Sequence, residues 1–502
     1  MGGFRLRRRR ALAPRTEALR SRPSCFHPNG ASSATCGREA AAVRIRIANR
    51  IRSAGVSVIV SRRIACDAGD PRSESDVVAL STIDSGDAPV ASANARQSIE
   101  TRASWVAAGV VLFILTFSYG TPLLVVVSLK PIAEELGSAR SIPALANSLA
   151  WLGAGTGAMA FGWVAERVGI RATVIFGAFM IGAGLVLASH GGPWELLIGH
   201  GLLLGALGGG AVNVPLIIYI SRWFDRRRGT AIALVSSGQY IAGALWPPVI
   251  ALGITTIGWR FTMLAFGVGS ALAIAVAALA WLRPTPAGHL LSDEGSSGGV
   301  ISGQSPRRTF VLLCLAGFLC CTPMAMPMGH VVALCSDLGI PPARGALMLS
   351  VLLGSAFVSR LFWGWLSDTV GGLYTILAGS ICQAAAMVGF IVTQDEAGLF
   401  AVSAAFGLGF SGIIPAYVVA LRDLFPESES SWRIPVWFFC NIVGMALGGW
   451  LAGFIYDELG SYAPAFMIGV ALNVANIVIV ALLAGRRTES TENRRTVCLG
   501  SA

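Results

Sequence analysis

The chain has 502 residues, of which 54% are hydrophobic and only 13% are charged, with a mean hydropathy of +0.66. Soluble domains carry about 25% charged residues, so this balance excludes a water-soluble globular protein and belongs in lipid. The net charge of +11 comes from arginines in a leading tail and in short loops, a distribution that excludes nucleic acid as the partner.

Residues 1–103 form a region apart. After the run Arg7 to Arg10, Glu17 and Glu39 are the only acids before Asp67, and no stretch is apolar for long enough to cross a bilayer. The Arg-rich, acid-poor composition is superficially that of an organelle transit peptide. Without hydrophobic periodicity, the expectation is a disordered leader or translated sequence ahead of the true start. No methionine lies between Met1 and Met159, so a later start needs a non-Met codon.

From Ser104 the pattern changes. Apolar stretches of about 20 residues, the length that crosses the hydrocarbon layer, fall near 105–127, 141–163, 171–190, 194–220, 229–254 and 259–282. They resume near 309–332, 343–365, 373–393, 397–421, 433–455 and 463–484. Residues 284–308 hold Pro284, Pro286 and a Ser/Gly-rich run from Gly295 to Gly303, and read as a flexible linker. The prediction is an all-α polytopic membrane protein. Its twelve transmembrane helices form two pseudo-symmetric six-helix bundles, 104–283 and 309–485, followed by a tail at 486–502.

Two landmarks repeat between the bundles. GWVAERVGIRA from Gly162 returns as GWLSDTVGGLY from Gly364, 202 residues on, and Pro215 before Arg222 returns as Pro415 before Arg422, 200 residues on. Duplication of a six-helix unit is the mark of a membrane transporter. Even-numbered connections carry Arg167, Arg171, Arg222, Arg226, Arg227, Arg228, Arg283, Arg307, Arg308, Arg422 and Arg433, against Lys130, Arg140, Arg260 and Arg344 in the odd ones. The positive-inside rule then places both termini in the cytoplasm, in a cell membrane (plasma or inner). Glycines at Gly153, Gly155 and Gly157, at Gly205 and Gly209, and at Gly444 and Gly448 mark faces where helices approach closely. Lys130, the only lysine, reads as a codon bias toward arginine. Of the ten cysteines, Cys314, Cys320, Cys321, Cys335, Cys382 and Cys440 sit in or beside apolar runs, and none has metal or disulfide spacing. No metal, cofactor or catalytic constellation is expected, hence no enzyme.

The repeated loop resembles the signature of the major facilitator superfamily. That resemblance covers 104–485 and implies conformational latches at Gly162, Glu166, Arg167 and Gly169, and again at Gly364, Asp368 and Gly371. An acid at a helix end can hold a neighbouring helix N-terminus or arginine in one state and release it in another. Within the superfamily the chain most resembles the monocarboxylate porter and oxalate–formate exchanger branch. The matching segments are FSYGTPLLVVVSLKPI from Phe117, the cytoplasmic basic loop RWFDRRRGTAIA from Arg222, and Arg360 four residues before Gly364. By that resemblance Arg360 is the substrate-anion arginine. Leu123 stands where proton-coupled members carry a lysine and Ala356 where they carry an aspartate, while helix 11 lacks the exchangers' lysine.

Arg360 is also the one charge inside an apolar span away from its very end, where an arginine costs about 2.5–3.5 kcal/mol on insertion scales. One explanation is a guanidinium facing the central cavity to receive a carboxylate. The other is a structural arginine, one turn from the helix end, that snorkels or pairs with Asp368. Other polar side chains able to line the cavity are Tyr119, Asn147, Asn213, Gln239, Tyr240, His330, Tyr417 and Asn441, with His330 the group that titrates near neutrality. No carboxylate lies mid-span, and Gly243 stands four residues before Pro247 rather than adjacent to it, both contrary to cationic drug antiporters. The expected function is transport of a small organic anion, with a proton or counter-anion, by a monomer in the bilayer. Export of a neutral or amphipathic compound and a non-transporting membrane sensor or enzyme are the alternatives.

Overall fold

Backbone N–H and C=O groups have no water partner in lipid, so apolar segments must close their hydrogen bonds internally, as helices. The computed structural model describes residues 100–283, apart from 136 and 138, and 305–500, with the backbone alone given for 427–428, 430–431 and 486–500. Most of the leader and most of the linker expected from sequence lie outside the described residues.

The described residues hold helices and no strand. Ten of the helices are long and apolar enough to cross a membrane. One of these, Arg228–Trp281, breaks at Gly258, and Ser141–Val168 adds a further 28-residue helix, so each of the twelve spans read from sequence meets a helix. The first half comprises α1 (Arg102–Val127, interrupted at Pro122), α2 (Ser141–Val168), α3 (Ile170–Ser189), α4 (Pro193–Ser221), α5 (228–257) and α6 (259–281). The second comprises α7 (Pro306–Asp337), α8 (Pro342–Val370), α9 (Gly372–Val392), α10 (Glu396–Leu424), α11 (Glu427–Leu459) and α12 (Ala463–Gly500). We call the end where α6 finishes and α7 begins the linker end, and the opposite one the far end.

The duplication is written in the backbone. Six of the seven described glycines with positive φ form three pairs, each 202 residues apart: Gly137 and Gly339, Gly169 and Gly371, Gly258 and Gly460. They follow α1 and α7, separate α2 from α3 and α8 from α9, and separate α5 from α6 and α11 from α12. At the middle pair (φ 96° and 89°) a side chain would be strained, so glycine is required to turn the chain. The hydroxyls of Thr173 and Thr375 then cap the two turns, donating to Gly169 O at 2.9 Å and Gly371 O at 3.0 Å.

Small residues bring backbones together inside each half. A Cβ on Gly157 of α2 would stand 2.0 Å from Ala206 O of α4, and one on Gly448 of α11 would stand 1.9 Å from Thr322 O of α7. Without a hydrophobic drive between helices in lipid, such close approach supplies the packing that holds the bundle. Across the halves, Gly155 abuts Ile442 and Gly243 abuts Leu353.

Candidate functional site

Pro122 interrupts α1 because it has no N–H to give the helix. Beside that break, a narrow central cavity lies between the halves. Tyr119, Asn147 and Gln239 give it polar groups, while Trp151, Met328, Leu353 and Met445 make up much of its apolar wall. A small side lobe shares Tyr119, Pro122 and Trp151 and reaches Asn213 of α4, whose Oδ1 accepts from the Ser118 hydroxyl at 2.7 Å. The lobe borders the stretch Gly199–Gly209, which is wound as a π-helix. Four of the polar residues chosen from sequence thus share one connected space.

Arg360 stands close by. Helix α8 runs to Val370, past the 365 expected from hydropathy, so Arg360 is ten residues, roughly 15 Å, from the helix end instead of one turn. The side chain is half-buried, its guanidinium lies 5.2 Å from the centre of the Tyr240 ring, and its charge acts on the Tyr119 and Tyr240 hydroxyls. Among the described residues no carboxylate forms an ion pair with Arg360, Asp368 included. An aromatic face compensates only part of a cation's lost hydration.

Neither Arg360 nor Tyr240 is among the residues lining the cavity or its lobe, and the other three residues chosen from sequence do not line it either. His330 is committed on both ring nitrogens: Nε2 is 2.8 Å from Gly449 O and Nδ1 is 3.2 Å from the Tyr462 hydroxyl. A carbonyl only accepts, so Nε2 carries the proton and Nδ1 accepts from Tyr462. The Tyr417 hydroxyl donates to Asn476 Oδ1 at 2.7 Å inside the second half. Asn441 is buried beside Gly317 with both amide atoms lacking a hydrogen-bond partner among the described residues. Trp151, Met328 and Met445 escaped the sequence reading because an apolar side chain in an apolar span carries no signal of which way it faces.

At the linker end, the first loop copy has Glu166 Oε1 2.7 Å from Arg222 of the basic loop. Arg167 stacks over Trp163 at 3.7 Å, and Gly162 and Gly364 face open space. Asp368, the equivalent acid in the second copy, makes no ion pair among the described residues. In the basic loop, Arg226 N donates to Asp225 at 2.9 Å, Arg227 N donates to Glu100, and Arg228 begins α5. Among the described residues the ion pairs found here, Glu166 with Arg222 and Arg433 with Glu429 at 2.5 Å, each lie within a half.

The far end differs, because charges there cross between the halves. Arg140, at the start of α2, donates to both Asp337 oxygens at the end of α7, at 2.5 and 2.7 Å, and to the Tyr462 hydroxyl at 3.1 Å. Lys130 reaches the same Asp337 at 3.2 Å. The backbone N–H groups of Arg140 and Ser141 each donate to Asp457 of α11 at 2.8 Å, and the Arg140 guanidinium lies 3.7 Å over Tyr456. Burial opposes the charge on Arg140, but the bonds to Asp337 and Tyr462 hold its pKa above the usual arginine value. Nearby, within the first half, the hydrogen bond from Arg260 holds the Glu135 carboxyl below its ordinary range, and Trp259 donates to it as well.

Residues 107–328 and 313–497 match the Major Facilitator Superfamily. Monocarboxylate transporter 13 of Bos taurus is 28% identical over 330 residues, 64% of this chain and 75% of the relative. Monocarboxylate transporter 11 of Mus musculus is 25% identical over 385 residues, 72% of this chain and 83% of the relative. Among solved structures, a bacterial homologue of the human lysosomal transporter Spinster, in an inward-facing and occupied conformation, superposes with a TM-score of 0.60 at 14% identity, covering 78% of this chain and 98% of that one. A POT family transporter in complex with 5-aminolevulinic acid gives 0.61 at 15% identity, over 77% of this chain and 96% of that one. At such identities these two establish the fold alone. The chain therefore belongs to the Major Facilitator Superfamily, with monocarboxylate transporters among its relatives, and is a multi-pass membrane transporter and not an enzyme.

Proposed function

We propose that this transporter moves a small organic anion, recognised through a carboxylate, by alternating access of the central cavity to the two sides of the membrane. The observation that carries the reading is Arg360: a half-buried guanidinium against Tyr240, close enough for its charge to act on Tyr119 of the cavity wall, and paired with no carboxylate among the described residues. A substrate carboxylate supplies the missing counter-charge in bidentate geometry. The names of the monocarboxylate transporters among its relatives support the same cargo. The arginine-rich linker end is cytoplasmic on this reading, in a plasma or inner membrane. On the same reading, the ion pairs drawn across the far end hold the outer side shut.

The test is a panel of carboxylates in proteoliposomes, with and without a pH gradient. Uptake accelerated by an inward proton gradient identifies symport, and uptake dependent on internal anion identifies exchange. Absence of uptake for every carboxylate overturns the reading. The apolar wall formed by Trp151, Met328, Leu353 and Met445 favours a second cargo, a neutral or amphipathic compound. Thermal stabilisation by lipophilic compounds, with none by carboxylates, would select it.

A further inference from the structure

The far end already contains a carboxylate-binding site, filled by the protein's own acids. Four donors of the first half converge there: the Arg140 guanidinium, the Lys130 ammonium, and the N–H groups of Arg140 and Ser141 at the start of α2. Two carboxylates of the second half satisfy them, Asp337 on the two side chains and Asp457 on the two N–H groups. Because donors and acceptors belong to different halves, any motion that opens the far end withdraws both acids together. The first half is left with two cations and an uncapped helix N-terminus, a combination that binds carboxylates.

The internal repeat shows why Asp337 is available for this. Asp337 stands 202 residues after Glu135, and Tyr462 stands 202 after Arg260, the spacing of the paired glycine turns. In the first half Glu135 is held at home by Arg260 at 2.7 Å. In the second half the arginine's place is taken by Tyr462, which cannot neutralise a carboxylate, and Asp337 turns across the seam to Arg140 and Lys130. Beside Lys130, a cavity of about 420 Å³ lined in part by Lys130, Glu134, Ser336 and Ile340 gives room at this mouth.

Resting on the organic-anion reading, we propose that Lys130, Arg140 and the N-terminus of α2 form an outer receiving site for the substrate carboxylate, occupied by Asp337 and Asp457 while the far end is shut. Substrate arriving from the far side takes the place of these acids. Their return on closure displaces it toward the central cavity and Arg360. The site belongs to one face of the cycle, so its loss affects transport from the far side selectively.

Lys130 is the only lysine of the chain, which makes it its own probe. Full-length protein in proteoliposomes is treated with a membrane-impermeant amine-reactive ester, and modification of Lys130 is read by peptide mass. In Asp337→Asn the rate is expected to rise several-fold, and benzoate or pyruvate to slow it at concentrations where chloride does not. Labelling of Asp337→Asn that no carboxylate slows would overturn the proposal. Kinetics supply the second arm. Lys130→Gln should raise the ratio of far-side to linker-side KM roughly tenfold, the effect of losing one charge-assisted hydrogen bond, and Lys130→Arg should restore it. If Lys130 only steadies Asp337, Lys130→Gln opens the far end to thiol reagents at a cysteine placed at Ser148 and leaves that ratio unchanged. Wild-type protein that moves no carboxylate refutes the cargo and the receiving site together; wild-type transport with an unchanged ratio in Lys130→Gln refutes the receiving site alone.

Discussion

The two halves of this transporter share a backbone and differ in where their charges go. Gly169 and Gly371 turn the chain at φ 96° and 89°, and Thr173 and Thr375 cap the two turns alike. Yet Ala158 in the first copy corresponds to Arg360 in the second, and Glu166 is paired with Arg222 while Asp368 makes no ion pair among the described residues. Glu135 is retained by its own half, and its counterpart Asp337 crosses to the other. Turns and close helix contacts are set by steric constraints that each copy must meet to pack. Charges are under no such duplicate constraint. The repeated features shape the two bundles, and the unrepeated ones include Arg360 and the ion pairs that join the halves at the far end.

The largest expected effect comes from making the copies alike at the cavity. Arg360→Ala, which gives the second half the residue of the first, should abolish carboxylate uptake while the protein still inserts in the membrane, and Arg360→Lys should restore only part because a point charge cannot bind bidentately. Normal uptake by correctly inserted Arg360→Ala protein would end that role. Next in size are the turns. Gly169→Ala and Gly371→Ala should each destabilise by about 1–3 kcal/mol, read as similar losses of thermal midpoint in detergent. Markedly unequal losses would show that the two turns are not mechanically equivalent.

Smaller effects should separate the equivalent acids. Asp337→Asn removes a bond between halves and should raise modification of a cysteine at Ser148 from the far side several-fold, whereas Glu135→Gln should leave that seam closed. Equal labelling in the two variants would contradict the division drawn here. Because the folded pKa of Glu135 is depressed, its contribution is fully present above the ordinary carboxylate range and is lost as pH falls through the lowered value. The difference in thermal midpoint between wild type and Glu135→Gln should therefore shrink in acid, and one that persists unchanged would mean that the carboxylate is not what stabilises. The smallest change is expected for Glu166→Gln. Its exposed ion pair with Arg222 contributes about 0–1 kcal/mol to stability, so an effect on transport rate without one on thermal midpoint would identify a latch.

Much of the fold was legible in the residues because lipid imposes a strict rule. Spans of about 20 apolar residues must be helices, and the Gly162 and Gly364 loops, 202 residues apart, exposed the duplication. The site was legible in part. Tyr119, Asn147, Gln239 and Asn213 were identifiable as polar groups within apolar spans, and they do border the cavity and its lobe. By the same test His330, Tyr417 and Asn441 looked equivalent, yet they point into helix contacts. Hydropathy reports depth in the membrane and not the direction a side chain faces.

The sequence by itself therefore determined the class of molecule, its apolar helical spans, its internal repeat and the isolated charge of Arg360, since each depends on local composition or spacing. Only the tertiary structure decided what the charges at the far end do. Lys130 and Arg140 counted only as charges of the odd-numbered connections, and nothing in the pattern singled out Asp337. Their pairing joins positions about two hundred residues apart. No local pattern encodes such a contact, because which carboxylate meets which cation depends on how two separately folded bundles come together.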